Sequence, residues 1–399
     1  MQTTSLPPSP STRTDAVVVG AGPAGLAAAL GLARNTIATT LITGPERGGD
    51  HRTTALMAGS VDILTRYGLW ERLRPHAAAL RDMRIVDATR RLVRAPEVTF
   101  RAAEIGLEAF GYNIENDVLR RELNAAAREM PNLRVVRASL TDLTAETDQV
   151  RLDLDTGERL SARLVVAADG RQSRVRTALG ITTRAKSYPQ VALTYIARHQ
   201  RPHEDISTEF HAESGPFTLV PLPGNRSSIV CVVSERDAEL LMGLGEAALA
   251  RELERRCASI LGAMTLEPGR GAFPLSAETA RSLTGERAVL VAEAAHVMPP
   301  IGAQGLNLGL RDADAVVRLA GDAAQRGEDP GGPAVLERYA RERRSDIEGL
   351  MRAVDLLNRS LLSDFVPVQG VRGLGLYLLD RVGPLRRRLM RAGIGTHAA

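Results

Sequence analysis

Cysteine is nearly absent: Cys231 and Cys257 are the only two in 399 residues, and they belong to no Cys-x-x-Cys. That excludes a disulfide scaffold and a thiolate metal site, and it fits a reducing compartment. Aromatic residues make up 3% of the chain, too few for a surface that stacks nucleic-acid bases, so no nucleic-acid partner is expected. Lys186 is the only lysine, so nearly every positive charge is a permanent guanidinium. The opening MQTTSLPPSPSTRT lacks the basic stretch and apolar core of a secretory signal, and residues 1–13 read as a disordered leader. The longest apolar run, residues 16–33, is interrupted by Gly20, Gly22, Pro23, Gly25 and Gly31, which suits a strand, turn and helix better than a membrane span.

What is present is the balance of an ordinary globular chain, 44% hydrophobic and 25% charged, with length for two domains or one interrupted one. The charge is unevenly placed. Residues 359–399 hold seven arginines and two aspartates, net +5 against +4 for the whole chain, so the rest is close to neutral.

Residues 15–19, 20–34 and 37–42 read as strand, turn, helix and strand, the opening of a βαβ unit. Apolar spacing predicts helices over 54–74 and 116–129. A hairpin follows at 148–169, turning at Asp155-Thr156-Gly157. Residues 188–235 alternate like strands and 236–262 like a helix. A buried strand is expected at 288–291, a helix at 306–319, a loop at 321–332 and a helix from Pro333 to about Leu361. The order is α/β, then mostly β, then α/β again, as if one domain were inserted in another.

Three segments carry chemistry. Gly20-Ala-Gly22-Pro-Ala-Gly25 stands where a strand passes into a helix. Its first glycine permits a tight turn, its second lets backbone approach a pyrophosphate and its third allows close helix–strand packing. The helix N-terminus stabilises the phosphate charge. The acid that usually ends the second strand and binds the ribose is missing, since Ile42 leads into Thr43-Gly44; Glu46 and Asp50 in the following loop are the candidates to replace it. The second segment runs from Leu164 to Arg176 through Asp169-Gly170. The third runs from Ala292-Glu293-Ala294-Ala295-His296 to Pro300-Ile301-Gly302-Ala303-Gln304-Gly305-Leu306-Asn307.

In order and spacing these segments resemble the single-component FAD-dependent aromatic hydroxylases of the para-hydroxybenzoate hydroxylase fold. The resemblance implies FAD as cofactor, held by Gly20, Gly22 and Gly25, by Asp169 and Gly170 near the ribityl–pyrophosphate region, and by Glu293 on the ribityl chain, where the family usually has Asp. It further implies that residues from Pro300, Gly302, Ala303 and Gln304 to Gly305, Leu306 and Asn307 set a helix N-terminus under the pyrimidine edge of the flavin, favouring its reduced, negative form. Ala303 replaces the usual glycine. Arg52 is expected to face the diphosphate, and Asn116 stands where relatives carry a cofactor-contacting polar residue.

Residues 55–70, Gly215-Pro216-Phe217 with Pro221-Leu222-Pro223, and residues 299–314 are similar to the UbiH/UbiF-type ubiquinone-biosynthesis hydroxylases, a likeness spanning about 14–392. Cys231 departs from it, since relatives often carry tryptophan there, which points to different packing on the substrate side. The implied enzyme is a monooxygenase that hydroxylates the ring of a polyprenylated phenol with NAD(P)H and O2 through a flavin C4a-hydroperoxide. The alternatives are a hydroxylase of a soluble aromatic or polyketide, and a non-catalytic flavin-binding component of a biosynthetic complex.

The expected fold class is α/β: a Rossmann-like FAD-binding domain (14–75, 111–184, 276–332), an inserted α+β substrate domain built on a β-sheet (76–110, 185–275) and a C-terminal helical region with a basic tail (333–399). In that tail Val371, Leu374, Leu378, Val382, Leu385 and Leu389 fall on one helical face that Gly383-Pro384 must bend, and Arg386, Arg387, Arg388 and Arg391 cluster at its end. Such a segment either docks on the protein or lies on an anionic membrane. The resemblance favours the membrane and implies a cytoplasmic location, peripheral on the inner face of the membrane, with other enzymes of ubiquinone biosynthesis as partners. His199, His203 and His211 near Glu204 and Asp205 are not expected to bind metal, because Pro202 breaks any helical spacing. His296, beside the third segment, is the candidate to tune the flavin, with a structural hydrogen bond as the other reading.

Overall fold

The run Ala16-Val17-Val18-Val19 is apolar on both faces, the pattern of a strand covered on two sides, and it lies inside a parallel sheet. The computed structural model describes residues 12–45, 48–89, 96–299, 303–362 and 383–393. The first elements are β1 (Thr12–Val19), α1 (Pro23–Arg34), β2 (Thr39–Ile42), β3 (Thr53–Met57), α2 (Ala58–Arg66), α3 (Trp70–Leu73), β4 (Ala78–Leu80), β5 (Asp82–Asp87), β6 (Val98–Arg101), β7 (Gly111–Glu115) and α4 (Asn116–Glu129). Next come β8 (Leu133–Val136), β9 (Leu140–Ala145), β10 (Val150–Leu154), β11 (Arg159–Ala167), α5 (Arg174–Ala178), β12 (Thr183–His199), β13 (Ile206–Ala212), β14 (Gly215–Leu222) and β15 (Arg226–Val233). The remainder is α6 (Glu235–Gly243), α7 (Glu246–Arg256), β16 (Met264–Leu266), β17 (Gly271–Ala280), β18 (Thr284–Gly285), β19 (Ala288–Leu290), β20 (His296–Val297), α8 (Gln304–Gln325), α9 (Pro333–Leu362) and α10 (Gly383–Gly393).

The first sheet runs β18-β19-β11-β1-β2-β8, with β19, β11, β1, β2 and β8 parallel. From β1 the chain passes to β2 on one side, while β11 lies on the other, so the strand order reverses at the β1–β11 seam. In such sheets ligands bind at that seam, beyond the carboxyl ends of the strands. Helix α1 covers the sheet and is buried from Ala24 to Ala33, because its small residues let α8 come close. Gly309 of α8 faces Ala24 and Val317 faces Gly31. The two helices therefore run parallel, and both N-termini open at the same end of the sheet.

The second sheet runs β20-β17-β12-β15-β14-β13-β5-β6. Leu193 and Tyr195 of β12, Phe210 of β13, Phe217 and Leu219 of β14 and Ile229 and Cys231 of β15 form one core with Leu241 of α6 and Leu249 and Leu253 of α7. The alternate side chains take the other face. That face meets β3 and β7 of the third sheet, β3-β7-β4, where Thr53 donates to Ser228 (2.8 Å) and Asn113 to the Pro221 carbonyl (2.9 Å). Cys231, expected to mark different packing on the substrate side, lies in this helix-covered core.

Other expectations also change. Residues 54–57, expected to open a helix, lie instead in β3, whose backbone pairs with β7 from Thr53↔Glu115 to Met57↔Gly111. Helix α8 continues to Gln325, so the expected loop at 321–332 is shorter; Gly327, at φ +71°, follows the helix end. The helix expected over 236–262 divides into α6 and α7. Thr12 and Arg13, expected in the leader, pair with Leu160 and Ser161. Gly383-Pro384 stand in the first turn of α10, which proline suits; the bend expected there involves residues outside the described ones. Val371, Leu374, Leu378 and Val382 lie outside the described residues. Helix α10 docks on β6: Met390 joins Val98, Phe100 and Phe110, and Arg386 pairs with both oxygens of Glu104 (2.7 and 2.8 Å) and stacks on Phe100 (4.6 Å).

Candidate active site

The glycine turn stands at the β1–β11 seam, and its glycines do three different things. At Gly20 (φ +108°) a Cβ would overlap the Ala168 carbonyl at the end of β11. At Gly25 it would overlap the Gly20 carbonyl. At Gly22, the N-cap of α1, no heavy atom lies within 4 Å of that position. The first and third glycines are thus required by the protein's own packing, while the second faces open space. No side chain caps α1, and Pro23 fills its first turn.

The end of β11 supplies the next groups. Asp169 accepts from the backbone N–H of Arg174 (2.7 Å) and Val175 (3.2 Å) through Oδ2, while its Oδ1 is buried with no hydrogen-bond partner among the described residues. Gly170, at φ +84°, turns the chain so that its Cβ position is 4.0 Å from Glu293 Oε2. Arg176 ties these two segments together, donating to the Ala294 carbonyl (2.9 Å) and to the Arg171 carbonyl (2.7 Å). Ser173 caps the helix that carries it (2.9 Å).

Opposite lies a cluster before β3. Asp50 receives Arg52 Nε and Nη2, both at 2.7 Å, and Asn116 Nδ2 at 3.0 Å. Burial opposes ionisation of Asp50, but these hydrogen bonds and the Arg52 charge outweigh it and hold the carboxyl down at about 2. Both oxygens are engaged, which leaves Asp50 poorly placed to replace the missing ribose acid; Glu46 lies outside the described residues. Asn116 opens α4 and takes Thr54 Oγ1 on its own oxygen (2.6 Å), so it orients the Asp50–Arg52 pair. Arg52 stacks on Phe273 at 4.9 Å and also feels the charge of Glu293, the acid of the third segment.

At the third segment Ala303 adopts φ +53° and leads into α8, which no side chain caps. Gly305 has no heavy atom within 4 Å of its Cβ position, as at Gly22. Gln304 and Leu306 share this first turn. Asn307 is buried and does not reach the opening: its oxygen accepts from Met57 N (2.8 Å), and its amide donates to the carbonyls of Ala55 (2.8 Å) and Ala303 (2.6 Å). It acts by fixing the turn against β3. Pro300 and Gly302 lie outside the described residues.

Two parallel helix N-termini with open glycines, one buried carboxylate oxygen without a partner, and an acid–arginine pair thus share one end of the sheet. This donor set fits a dinucleotide with a hydroxylated linker: amides for phosphate and for an anionic ring, carboxylates for hydroxyls. The FAD binding domain family matches residues 13–354. Ubiquinone hydroxylase UbiL of Rhodospirillum rubrum is 34% identical over 96% of this chain and 90% of its own length. The chain belongs to the FAD-dependent ubiquinone hydroxylase family. The 3-demethoxyubiquinol 3-hydroxylase of Escherichia coli is 32% identical to the hydroxylase, covering 96% and 98% of the two chains. The p-nitrophenol 4-monooxygenase of Pseudomonas putida shares the fold, with TM-score 0.80 and 18% identity over 98% and 100%.

A buried ionic chain behind the hydroxylase site was not foreseen. Asp312, fully buried in α8, accepts from Ala292 N (3.0 Å) and His296 Nε2 (2.6 Å) on one oxygen and from Arg343 Nε (2.7 Å) of α9 on the other. Arg343 continues to Asp346 (2.7 Å), which also meets Arg311 (2.9 Å). Burial opposes ionisation of Asp312, yet the His296 and Arg343 charges outweigh it and keep the carboxyl at about 2. His296 therefore bears on the site by holding the Ala292–Glu293 turn (Ala292 φ +51°) through Asp312, because its own ring is sealed at 1% side-chain exposure. A signal existed in the sequence: Asp312 interrupts the apolar stripe Leu308, Val316, Leu319. The other histidines do not converge. His199 is bonded to Ser227 (3.0 Å) and His203 to the Leu222 carbonyl (2.9 Å), while His211 lies on the opposite sheet face with Glu209.

Proposed function

We propose that the hydroxylase adds an oxygen atom to the phenol ring of a polyprenylated ubiquinone precursor, with NAD(P)H as reductant and O2 as oxidant. The observation that carries this is an FAD-type site in a chain similar over nearly its whole length to two proteins named as ubiquinone-pathway hydroxylases. We assign FAD to residues 14–75, 111–184 and 276–332, and the substrate to 76–110 and 185–275. Bound FAD supplies hydride acceptance and delivery of one atom of O2, the other leaving as water. The chain's residues do the rest. The α1 amides beyond Gly22 hold the pyrophosphate, Asp169 and Glu293 accept from ribityl hydroxyls, and Arg52 offsets the diphosphate charge. The α8 amides at Gln304 and Gly305 favour negative charge on the ring. The sheet face above keeps water away.

Purified holoenzyme given a short-chain prenylphenol is expected to oxidise NAD(P)H faster than without it and to yield a product one oxygen heavier by mass spectrometry. Stimulated oxidation with no oxygenated product sinks this reading.

We further place the enzyme on the inner, anionic membrane surface through α10. None of the described helices is long and apolar enough to cross a membrane. Arg387, Arg388 and Arg391 are exposed, whereas Arg386 is spent on Glu104, so three charges and not four face outward. Changing the three to alanine should weaken binding to anionic vesicles by about 3 kcal/mol, roughly 10²-fold, at about 1 kcal/mol each. Unaltered flotation of that variant assigns the contact elsewhere.

A further inference from the structure

The sheet face that meets the FAD-binding part is not sealed along its length. Side chains alternate, so with Phe210, Leu219 and Ile229 in the helix-covered core, Ser207, Val220 and Ser228 take the opposite face. Pairing sets Ser228 beside Val220, Ser207 beside Met83 and Met83 beside Phe100, and Thr208↔Leu219 brings Ser207 next to Val220. These residues form one level across β15, β14, β13, β5 and β6. Two residues further along the strands, about 7 Å away, Val230, Thr218, Glu209 and Ile85 form a second level. Met83, Ile85, Glu209, Thr218, Val220 and Val230 are all partly exposed.

The two levels differ in chemistry. On the first, the serines spend their hydroxyls on the protein: Ser228 accepts from Thr53 (2.8 Å), and Ser207 donates to the Leu219 carbonyl (3.4 Å). What that level offers a ligand is the apolar surface of Val220 and Met83. The second level carries Thr218 and the carboxylate of Glu209. The first level also has defined ends. Val220 packs against Ala55, Met57 and Leu80, as does Ala303, the left-handed residue that leads into α8, and Met83 joins the same cluster. Met83 and Ile85 pack in turn against Val98, Phe100, Phe110 and Met390 of α10. The level therefore runs from the turn assigned to the flavin ring to the arginine-bearing helix. From β14 to β6 is three strand spacings of about 4.8 Å, roughly 14 Å.

We infer that the polyprenyl tail of the substrate lies along this first level, crossing Val220 and Met83 between the Ala303 turn and α10; this rests on the polyprenylated-phenol reading above. The phenol ring stays at the Ala303 end, with its hydroxylated edge toward Thr218. An irregular alkenyl chain suits Met83, whose unbranched side chain adapts to the shape of an apolar partner. Helix α10 then serves both needs of such a substrate. Its outward arginines face an anionic surface, and Met390 on its inner side closes the end of the tail's path.

The test uses FAD-loaded enzyme without reductant and follows the flavin absorbance change on binding a phenol with no tail and the same phenol with tails of increasing length. The wild type should bind tighter with added length, at least about 10-fold for the first isoprenyl unit, until the tail reaches α10. Met83→Gln sets an amide across the path. It should cost about 10-fold in affinity for the tailed phenol, with FAD content and affinity for the tail-less phenol as in the wild type. Met83→Leu should restore the loss. A photoreactive group at the tail's end reads the path without any substitution, and its label should fall within residues 82–101 or 383–393. Label confined to other segments overturns this assignment alone, as does a Met83→Gln variant whose two affinities match the wild type or fall together. A wild-type holoenzyme that gains nothing from a tail removes the polyprenyl reading with it.

Discussion

Gly22→Ala is expected to keep the fold, with only a small N-cap cost, and to lose FAD, whereas Gly25→Ala is expected to lose the fold's local packing. Inside a helix alanine is about 0.5–1 kcal/mol better than glycine, whereas at an N-cap such as Gly22 glycine is the better of the two. At Gly22 no contact opposes the added methyl: φ is −68° and no heavy atom lies within 4 Å of the added carbon. The space it enters is the space the pyrophosphate needs, so the penalty falls on binding. Overpacking costs of about 1–3 kcal/mol correspond to a roughly 5- to 150-fold rise in the FAD Kd. At Gly25 the same methyl overlaps the Gly20 carbonyl, and relief requires α1 to move off the β1 turn. There the loss of about 1–3 kcal/mol should appear in denaturant unfolding of the apoprotein. Flavin fluorescence titration and urea unfolding of the two variants separate these effects. Gly22→Ala binding FAD like the wild type would falsify the assignment of that space to the cofactor.

The glycine turn was legible in sequence because its first and last members meet within six residues, Gly25 against the Gly20 carbonyl. Glu293 and Asp169 were legible for the same reason: each sits just past an apolar strand. What escaped was held together over distance. Nothing in Thr53-Thr54-Ala55-Leu56-Met57 distinguishes a strand from the start of the helix that follows; its pairing partner lies some sixty residues on, and tertiary pairing overrode local spacing. Asn307 reads as a polar residue at a helix start, the place for a ligand contact. Only the arrival of Ala55 and Met57 beside it turns it into a backbone fastener. Arg386 reads as one of four tail arginines, and only the distant Glu104 withdraws it from the surface. Sequence patterns carry the residues assigned to the cofactor, and carry poorly the residues that hold them in place.

Asp312→Ala should therefore cost more than any change in the opening itself. The carboxylate is the shared acceptor for Ala292 N, His296 Nε2 and Arg343 Nε, and all three stay buried when it is removed. Breaking a buried pair from one side costs about 3–5 kcal/mol, because the remaining charge keeps its desolvation penalty. Denaturant unfolding should show that loss. The FAD Kd should rise as well, since Ala292 N fixes the turn that presents Glu293. The same group predicts the acid limb of stability. Its folded carboxyl titrates at about 2, below the ordinary aspartate value, so its contribution is complete above that ordinary value and disappears as pH falls through about 2. The wild type should lose on the order of 2–3 kcal/mol across that interval from this residue, and the variant should have no such component. His296→Gln, which keeps a donor for Oδ2, should fall between the two. Should Asp312→Ala unfold at the wild-type midpoint with the wild-type acid limb, the support of the Glu293 turn must come from the Arg176 hydrogen bond to Ala294 instead.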